Sequence, residues 1–221
     1  MVNLLFVVHP GVPGLRFIKS SILLDAAKAL LALKTLGKMP AGSEVIATAA
    51  NLSTMLALST ALKNDIDAAS ESLRCVANAL LLVDSARNIW VDTQVGGGEA
   101  CISLLDVRIL RCTCYPSADL SMALQKSTTP DQIFLASRIL FLCTVSATSG
   151  TFIQSLVEDK HGSSGTTVDI IGAKLDILTN NILAGVKMGR EAMTDMLKLT
   201  FNLLVYYPKV WRLALCSCEP N

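Results

Sequence analysis

The chain has 221 residues, of which 52% are hydrophobic, 17% charged and only 5% aromatic, and its net charge is +1. This length can bury a core in one or two domains, and an apolar content of mostly Leu, Ala, Val and Ile favours packed helices over a β-sandwich. The small net charge excludes a broad field for nucleic acid, and no apolar run approaches the roughly 20 residues of a membrane span.

The first 20 residues show no helical pattern. The apolar run Leu4–Val8 is short for the hydrophobic part of a signal peptide, and His9–Gly14 breaks it with two prolines and two glycines. No small-residue cleavage site clearly follows. We therefore expect residues 1–20 to be a disordered or spurious start, with a signal peptide as the alternative.

Two helical segments come next. Apolar spacing predicts an amphipathic helix from Ser21 to about Leu36, ended by Gly37 and Pro40. Helical signals resume from Glu44 and continue to about Leu62.

The clearest helical pattern begins near Asp67. Apolar residues recur at the i, i+3, i+4, i+7 spacing of one buried stripe, at Leu73, Val76, Ala77, Leu80 and Leu81. Arg74 and Asn78 lie four apart and share a different face. A polar helix (84–93), a glycine break (96–98) and a short apolar helix (99–105) follow, which is typical of an armadillo repeat.

Two segments do not fit this pattern, residues 107–125 and residues 210–221. Each begins with Val, whose codons begin with GT, and the first ends with Gln, one of whose codons ends with AG. Those are the ends of a spliceosomal intron. We hypothesise that residues 107–125 are a translated intron and that the irregular tail is another, read into a stop. An ordinary surface loop and a natural C-terminus are the alternatives.

Further helices are predicted after the insert. One begins at Pro130–Asp131, one runs from Val168 to about Val186 after the loop Gly162–Gly165, and one runs from Glu191 to Tyr207 before Pro208. The last has an apolar stripe made of Leu197, Phe201, Leu204 and Val205, which would normally meet the next repeat on at least one side, and we expect Phe201 to be buried.

The pattern of the central helix occurs three times. The copies lie in residues 72–82, 136–143 and 196–204. The first copy has Arg74 and Asn78 on its polar side, and the third has Lys198 and Asn202 at the same positions. The second copy keeps a base, Arg138, but has Leu142 in place of the Asn. Self-similarity of this kind indicates a solenoid. We predict an all-α fold, an armadillo/HEAT-like α-solenoid that forms a partial superhelix over residues 21–209; three unrelated core helices are the alternative.

The seven cysteines suggest neither a disulfide framework nor a metal site. Three lie in apolar helices and are predicted to be buried thiols: Cys75, Cys101 and Cys143. Four form two C-x-C pairs, Cys112 with Cys114 and Cys216 with Cys218. The C-x-x-C spacing of zinc sites is absent, and His9 and His161 are the only histidines. We therefore predict no metal and no cofactor, in a reducing compartment.

Catalytic motifs are also lacking. Gly96–Gly98 is not followed by the Lys and Ser/Thr of a phosphate-binding loop, and His161 has no nucleophile pattern near it. We do not expect an enzyme that makes or breaks bonds.

With the insert set aside, the chain resembles the synembryn family, in the style of its fungal members. The runs that carry the resemblance are Leu73–Leu82, Gly96–Cys101, Asp131–Leu142, Ile170–Leu175 and Ala192–Leu204. The resemblance implies an armadillo-type solenoid that acts as a cytosolic exchange factor and folding chaperone for heterotrimeric G-protein α subunits. It also implies that this chain is an N-terminal portion, because family members run about twice as long, and this leaves its exchange activity open.

The resemblance also implies where the partner binds. In the family a concave groove takes the C-terminal helix of the α subunit, which loosens the bound GDP. Exposed Asn and basic residues on the third helix of each repeat suit that role. The predicted binding residues are Arg74, Asn78, Arg138, Lys198 and Asn202, with Lys34 and Lys38 from the first helix. Solvated helix faces and structural Asn caps are the alternatives.

Two classes of function therefore remain, an exchange factor and chaperone for an α subunit, or a generic armadillo scaffold for another peptide. In either case we expect a cytoplasmic monomer that reaches a membrane only through its partner and binds no nucleic acid.

Overall fold

The computed structural model describes residues 28–62, 65–106, 128–145, 150–161 and 165–206. The expected irregular start, the whole of the 107–125 insert and the 210–221 tail lie outside these ranges. Within them, one isolated antiparallel bridge joins Lys160 to Thr166, and all other regular structure is helical. No helix in these ranges is both long enough and apolar enough to span a membrane.

Ten helices occupy the described residues. They are α1 (28–36), α2 (Pro40–Ile46), α3 (Ala49–Ala61), α4 (Ile66–Leu82), α5 (Asp84–Val91), α6 (Gly97–Asp106), α7 (Pro130–Val145), α8 (Gly150–Glu158), α9 (Thr167–Leu183) and α10 (Gly189–Tyr206).

Helices α2 to α10 form three consecutive triplets. Within each triplet every helix contacts the other two. Between triplets, the second helices pack in the order α3, α6, α9 and the third helices in the order α4, α7, α10. Helix α1 precedes α4 in the row of third helices. The contact that shows this is between the Cys75 thiol of α4 and the Leu30 carbonyl oxygen of α1, which are 3.7 Å apart. This stacking confirms the predicted all-α solenoid.

Local capping sets the helix boundaries. The Asp65 carboxylate accepts a hydrogen bond from the Ala68 N–H and begins α4, close to the predicted start, and Thr166 with Asp169 forms a capping box that begins α9. The helical signals from Glu44 to about Leu62 belong to two helices, α2 and α3. The Thr48 hydroxyl accepts from the Asn51 N–H and begins a new helix there.

The glycine break is shorter than the sequence suggests. Gly96 has a φ of +67° and makes the turn, whereas Gly97 and Gly98 already belong to α6. A Cβ on Gly97 would lie 2.2 Å from the Trp90 ring, so the missing side chain allows this close packing of α6 on α5.

The buried stripe of α4 is nearly as predicted. Leu73, Val76, Ala77 and Leu80 are buried, whereas Leu81 is exposed.

The expected burial of Phe201 on α10 is wrong, and most of its stripe is exposed. Leu197, Phe201 and Val205 are 52%, 65% and 51% exposed. The buried residues are instead Ala192, Met196, Leu199 and Leu203. They are buried because α10 packs on α7 and α9, and no described element covers its other apolar side.

Cys75, Cys101 and Cys143 are free and buried, as predicted. Burial raises the pKa of Cys75 to about 11 and that of Cys101 to about 12, and it also raises the pKa of Cys143. These thiols are therefore protonated and unreactive at neutral pH. The described residues contain no group of three or more His, Cys, Asp or Glu side chains able to hold a metal ion.

Candidate partner-binding face

Six of the seven predicted binding residues, all except Lys38, lie on the row of third helices, on a surface that we call the polar face. It is formed by side chains of α1, α4, α7 and α10. Two of these helices carry the same three-residue pattern at the same spacing, which is Glu71, Arg74 and Asn78 on α4 and Asp195, Lys198 and Asn202 on α10. The pattern places an acid, a base and an amide on one side of each helix.

At the N-terminal end of the polar face the charges are paired. Lys34 Nζ lies 2.7 Å from Glu71 Oε2, and Glu71 Oε1 accepts a hydrogen bond from Arg74. The other end of the Arg74 guanidinium donates to Asp131 Oδ1 on α7, at 2.5 Å. Four side chains thus connect three helices of the row.

This pairing shifts the pKa values of the central two groups. Burial by itself raises the pKa of Glu71, but the hydrogen bond from Lys34 and the charge of Arg74 outweigh it, so the pKa is lowered. Burial opposes the charge on Arg74 as well, yet Asp131 and Glu71 raise its pKa. Both groups are therefore ionised at neutral pH.

At the C-terminal end a buried carboxylate holds two cations. Lys198 Nζ donates to Asp195 Oδ1 at 2.7 Å, and Arg138 Nη1 lies 3.7 Å from Asp195 Oδ2. The Asp195 side chain is 5% exposed, whereas those of Arg138 and Lys198 are 37% and 50% exposed. Both cations therefore still face solvent.

Aromatic rings lie beneath these cations. The Arg138 guanidinium carbon is 5.5 Å from the ring centre of Phe134, and Lys198 Nζ is 5.6 Å from that of Phe141. At this distance the electron-rich face of a ring attracts a cation. The rings thus hold both charges over apolar surface.

A shallow depression of about 390 Å³ lies between α7 and α10 beside Lys198. Its lining is largely apolar and consists of Phe141, Thr194, Leu197, Lys198, Phe201 and Asn202. The exposed side chains of Leu197 and Phe201 form its outer wall. The site therefore offers an apolar recess with a cation at its edge.

The two asparagines have different surroundings. Asn202 Nδ2 donates to the Thr144 hydroxyl on α7 at 2.9 Å, so this amide also joins α10 to α7. Asn78 is half-buried beside the turn at Gly37 that follows α1. Lys38 is exposed in that turn and does not belong to the first helix, in contrast to its predicted place.

The sequence prediction named the bases and missed their partners. Glu71, Asp131 and Asp195 were not predicted as site residues, and Phe201 was assigned to the core. The repeated acid–base spacing of Glu71 with Arg74 and of Asp195 with Lys198 was a signal that would have revealed two of the acids.

A solenoid of helical triplets, with a polar face that combines cations and an apolar depression, defines a class of protein-binding modules. The family model of the guanine nucleotide exchange factor synembryn matches residues 29–215, and the chain belongs to that family. Guanine nucleotide exchange makes and breaks no covalent bond. Neither the comparison with curated proteins nor that with solved structures finds a match.

Proposed function

We propose that this chain is an exchange factor and folding chaperone for an α subunit of heterotrimeric G proteins, and that it binds the C-terminal helix of that subunit on the polar face. Family membership supports guanine nucleotide exchange as the activity and a G-protein α subunit as the partner. The observation that carries the binding site is the position of exposed Leu197 and Phe201 beside the half-exposed cation Lys198.

The chemistry of this surface suits an amphipathic helix. An apolar side chain of the incoming helix enters the depression, and a carboxylate one turn away pairs with Lys198 or Arg138. The amides of Asn78 and Asn202 offer both a donor and an acceptor to the polar side of the helix. Lys34 extends the same surface toward the N-terminal end, and Lys38 adds an exposed cation in the turn after α1.

Binding of this kind promotes exchange through a difference in affinity. The chain binds the nucleotide-free conformer of the α subunit, whose C-terminal helix is available, more tightly than the GDP-bound conformer. The nucleotide-free conformer is thereby stabilised and GDP is released faster. The same preference for an incompletely folded partner accounts for the chaperone role. We place this action in the cytoplasm, with membrane contact only through the partner.

The test measures binding and GDP release with a purified α subunit. The parent chain is expected to bind the nucleotide-free subunit and to accelerate release of a fluorescent GDP analogue. Phe201→Ser and Lys198→Glu are each expected to weaken binding by roughly tenfold or more, which corresponds to a contact worth about 1.4 kcal/mol.

Lys187→Glu is the matched control, because it reverses the same charge on the exposed turn between α9 and α10. It is expected to keep affinity within about twofold of the parent. If Phe201→Ser and Lys198→Glu both bind like the parent, the polar face is not the binding site. If the parent chain does not bind the α subunit but binds several unrelated acidic amphipathic helices with similar affinities, the generic scaffold is the correct class.

A further inference from the structure

The charged residues of the polar face follow one rule along the solenoid. Wherever two described third helices meet, the earlier helix contributes the base and the later helix the acid. The three pairs are Lys34 on α1 with Glu71 on α4, Arg74 on α4 with Asp131 on α7, and Arg138 on α7 with Asp195 on α10. The same polarity at each junction forms a directional ladder across the whole row.

The steps of the ladder are also joined within helices. Glu71 accepts from Arg74 one turn further along α4, and Asp195 accepts from Lys198 at the same spacing on α10. Each of these acids therefore holds one base of its own helix and one of the preceding helix. A side chain with two partners on two helices resists movement of one helix relative to the other.

Energetics favour a positioning role over a simple gain in stability. Attraction in a partly buried ion pair is largely offset by the cost of removing both charges from water. Loss of one member alone is costly, because it leaves the other charge without compensation. A ladder of such pairs thus penalises any helix spacing that separates base from acid.

We infer that Glu71, Asp131 and Asp195 are positioning residues that fix the spacing of the third helices through this ladder, and that Arg74 supports partner binding through Asp131 and not by touching the partner. The binding consequence rests on the proposed function, whereas the coupling between Arg74 and Asp131 does not. Arg74 already donates to a carboxylate on each side, and Lys198 and Arg138 remain the more exposed cations.

A charge-swap cycle tests the inference. Arg74→Asp and Asp131→Arg are made singly and together, and thermal unfolding of the free chain and affinity for a nucleotide-free α subunit are measured for each. We expect each single variant to unfold at a lower temperature and to lose about tenfold in affinity. The double variant restores opposite charges between α4 and α7 but leaves a carboxylate at position 74 beside Glu71. It is therefore expected to recover most of the loss in both properties, with affinity within about threefold of the parent.

Asp84→Arg is the matched control. Asp84 and Asp131 are both acids in the first turn of a helix, but Asp84 is exposed, and its one ion pair within the described residues is with Arg87 of its own helix. The control therefore reproduces the loss of a favourable charge at a helix N-terminus without affecting the ladder. A second swap, Lys34→Glu with Glu71→Lys, tests the α1–α4 junction if an α7 variant does not fold. Because a cation at position 71 lies beside Arg74, the readout there is the coupling between the two substitutions and not a return to the stability of the parent.

Three outcomes overturn the inference, and each is distinct from failure of the proposed function. Absence of coupling between the two substitutions in the melting of the free chain shows that there is no ladder. Recovery of melting temperature without recovery of affinity shows that Arg74 contacts the partner directly. A fall in melting temperature for Asp84→Arg as large as that for Asp131→Arg assigns the effect to the helix terminus. Failure of the parent chain to bind the α subunit rejects only the proposed function, since the melting cycle still decides the ladder.

Discussion

Helices α4 and α10 have the same polar pattern and different burial. The stripe of α4 formed by Ala68, Ser72, Cys75 and Ala79 is buried, and so are the residues at the same spacing on α10, which are Ala192, Met196, Leu199 and Leu203. A second stripe differs. Leu73 and Ala77 are buried on α4, whereas Leu197 and Phe201, at the matching positions of α10, are more than half exposed.

The difference arises from the next triplet of the solenoid, which packs against α4 and has no described counterpart at α10. Leu73 borders side chains of α6 and of α7, the triplet that comes after α4. Within the described residues no triplet comes after α10, so the equivalent side chains border solvent and the depression. The first stripe therefore marks packing inside a repeat and against the preceding third helix, and the second marks the surface that a repeat offers to its next neighbour. On α10 that surface contributes to the proposed binding site.

The largest expected effect comes from placing a charge at one matched pair of positions. Ala77→Asp buries a carboxylate without a counter-charge and is expected to destabilise the chain by more than about 3 kcal/mol. Phe201→Asp puts the same charge in solvent and is expected to cost less than about 1 kcal/mol. Chemical denaturation followed by circular dichroism measures both. Equal losses would show that Phe201 is covered in solution, for instance by self-association.

Truncation to alanine compares the two stripes within α10. Leu199→Ala leaves a cavity where the side chain is fully buried and is expected to cost about 2–5 kcal/mol, as is Leu80→Ala in the core of α4. Phe201→Ala is expected to change stability by only about 0.5 kcal/mol, although it removes the larger apolar side chain. The differences are measured as shifts in the denaturant midpoint, provided that the slope of unfolding free energy against denaturant concentration is unchanged. A larger loss for Phe201→Ala than for Leu199→Ala would mean that the rotational phase of α10 is wrong.

A smaller effect than the loss of buried side chains is expected from the pH dependence of the ion pairs of Glu71 on α4. The folded state lowers the pKa of Glu71, so the ionised carboxylate stabilises the fold above its unfolded pKa, and this contribution is lost as the pH falls through the lowered value, below 4.5. We expect Glu71→Gln to cost roughly 1–2 kcal/mol at pH 7 and nearly nothing in strong acid. The unfolding free energies of the parent and of Glu71→Gln are measured at a series of pH values. If the difference between them does not become smaller on acidification, the loss is due to the shape of the side chain and not to its charge.

The sequence by itself determined the helical class, most helix positions, and the recurrence of a base on three third helices and of an amide on two of them. It succeeded because apolar spacing, capping residues and proline act over a few neighbouring residues, whose effect is local. Asp65, Pro130 and the stripe containing Leu80 are examples in which the local pattern and the observed structure agree.

Only the tertiary structure decided which apolar stripe of α10 is buried and which bases already have partners. Both Leu199 and Phe201 lie on an apolar stripe of that helix, and the choice between them depends on α7 and α9, which are separate elements of the chain. The pair of Arg74 with Asp131 spans 57 positions, so no local period predicts it. Apolar periodicity shows which faces of a helix can be buried. Long-range packing then selects one of them, because burial also depends on the neighbouring helices that each face meets.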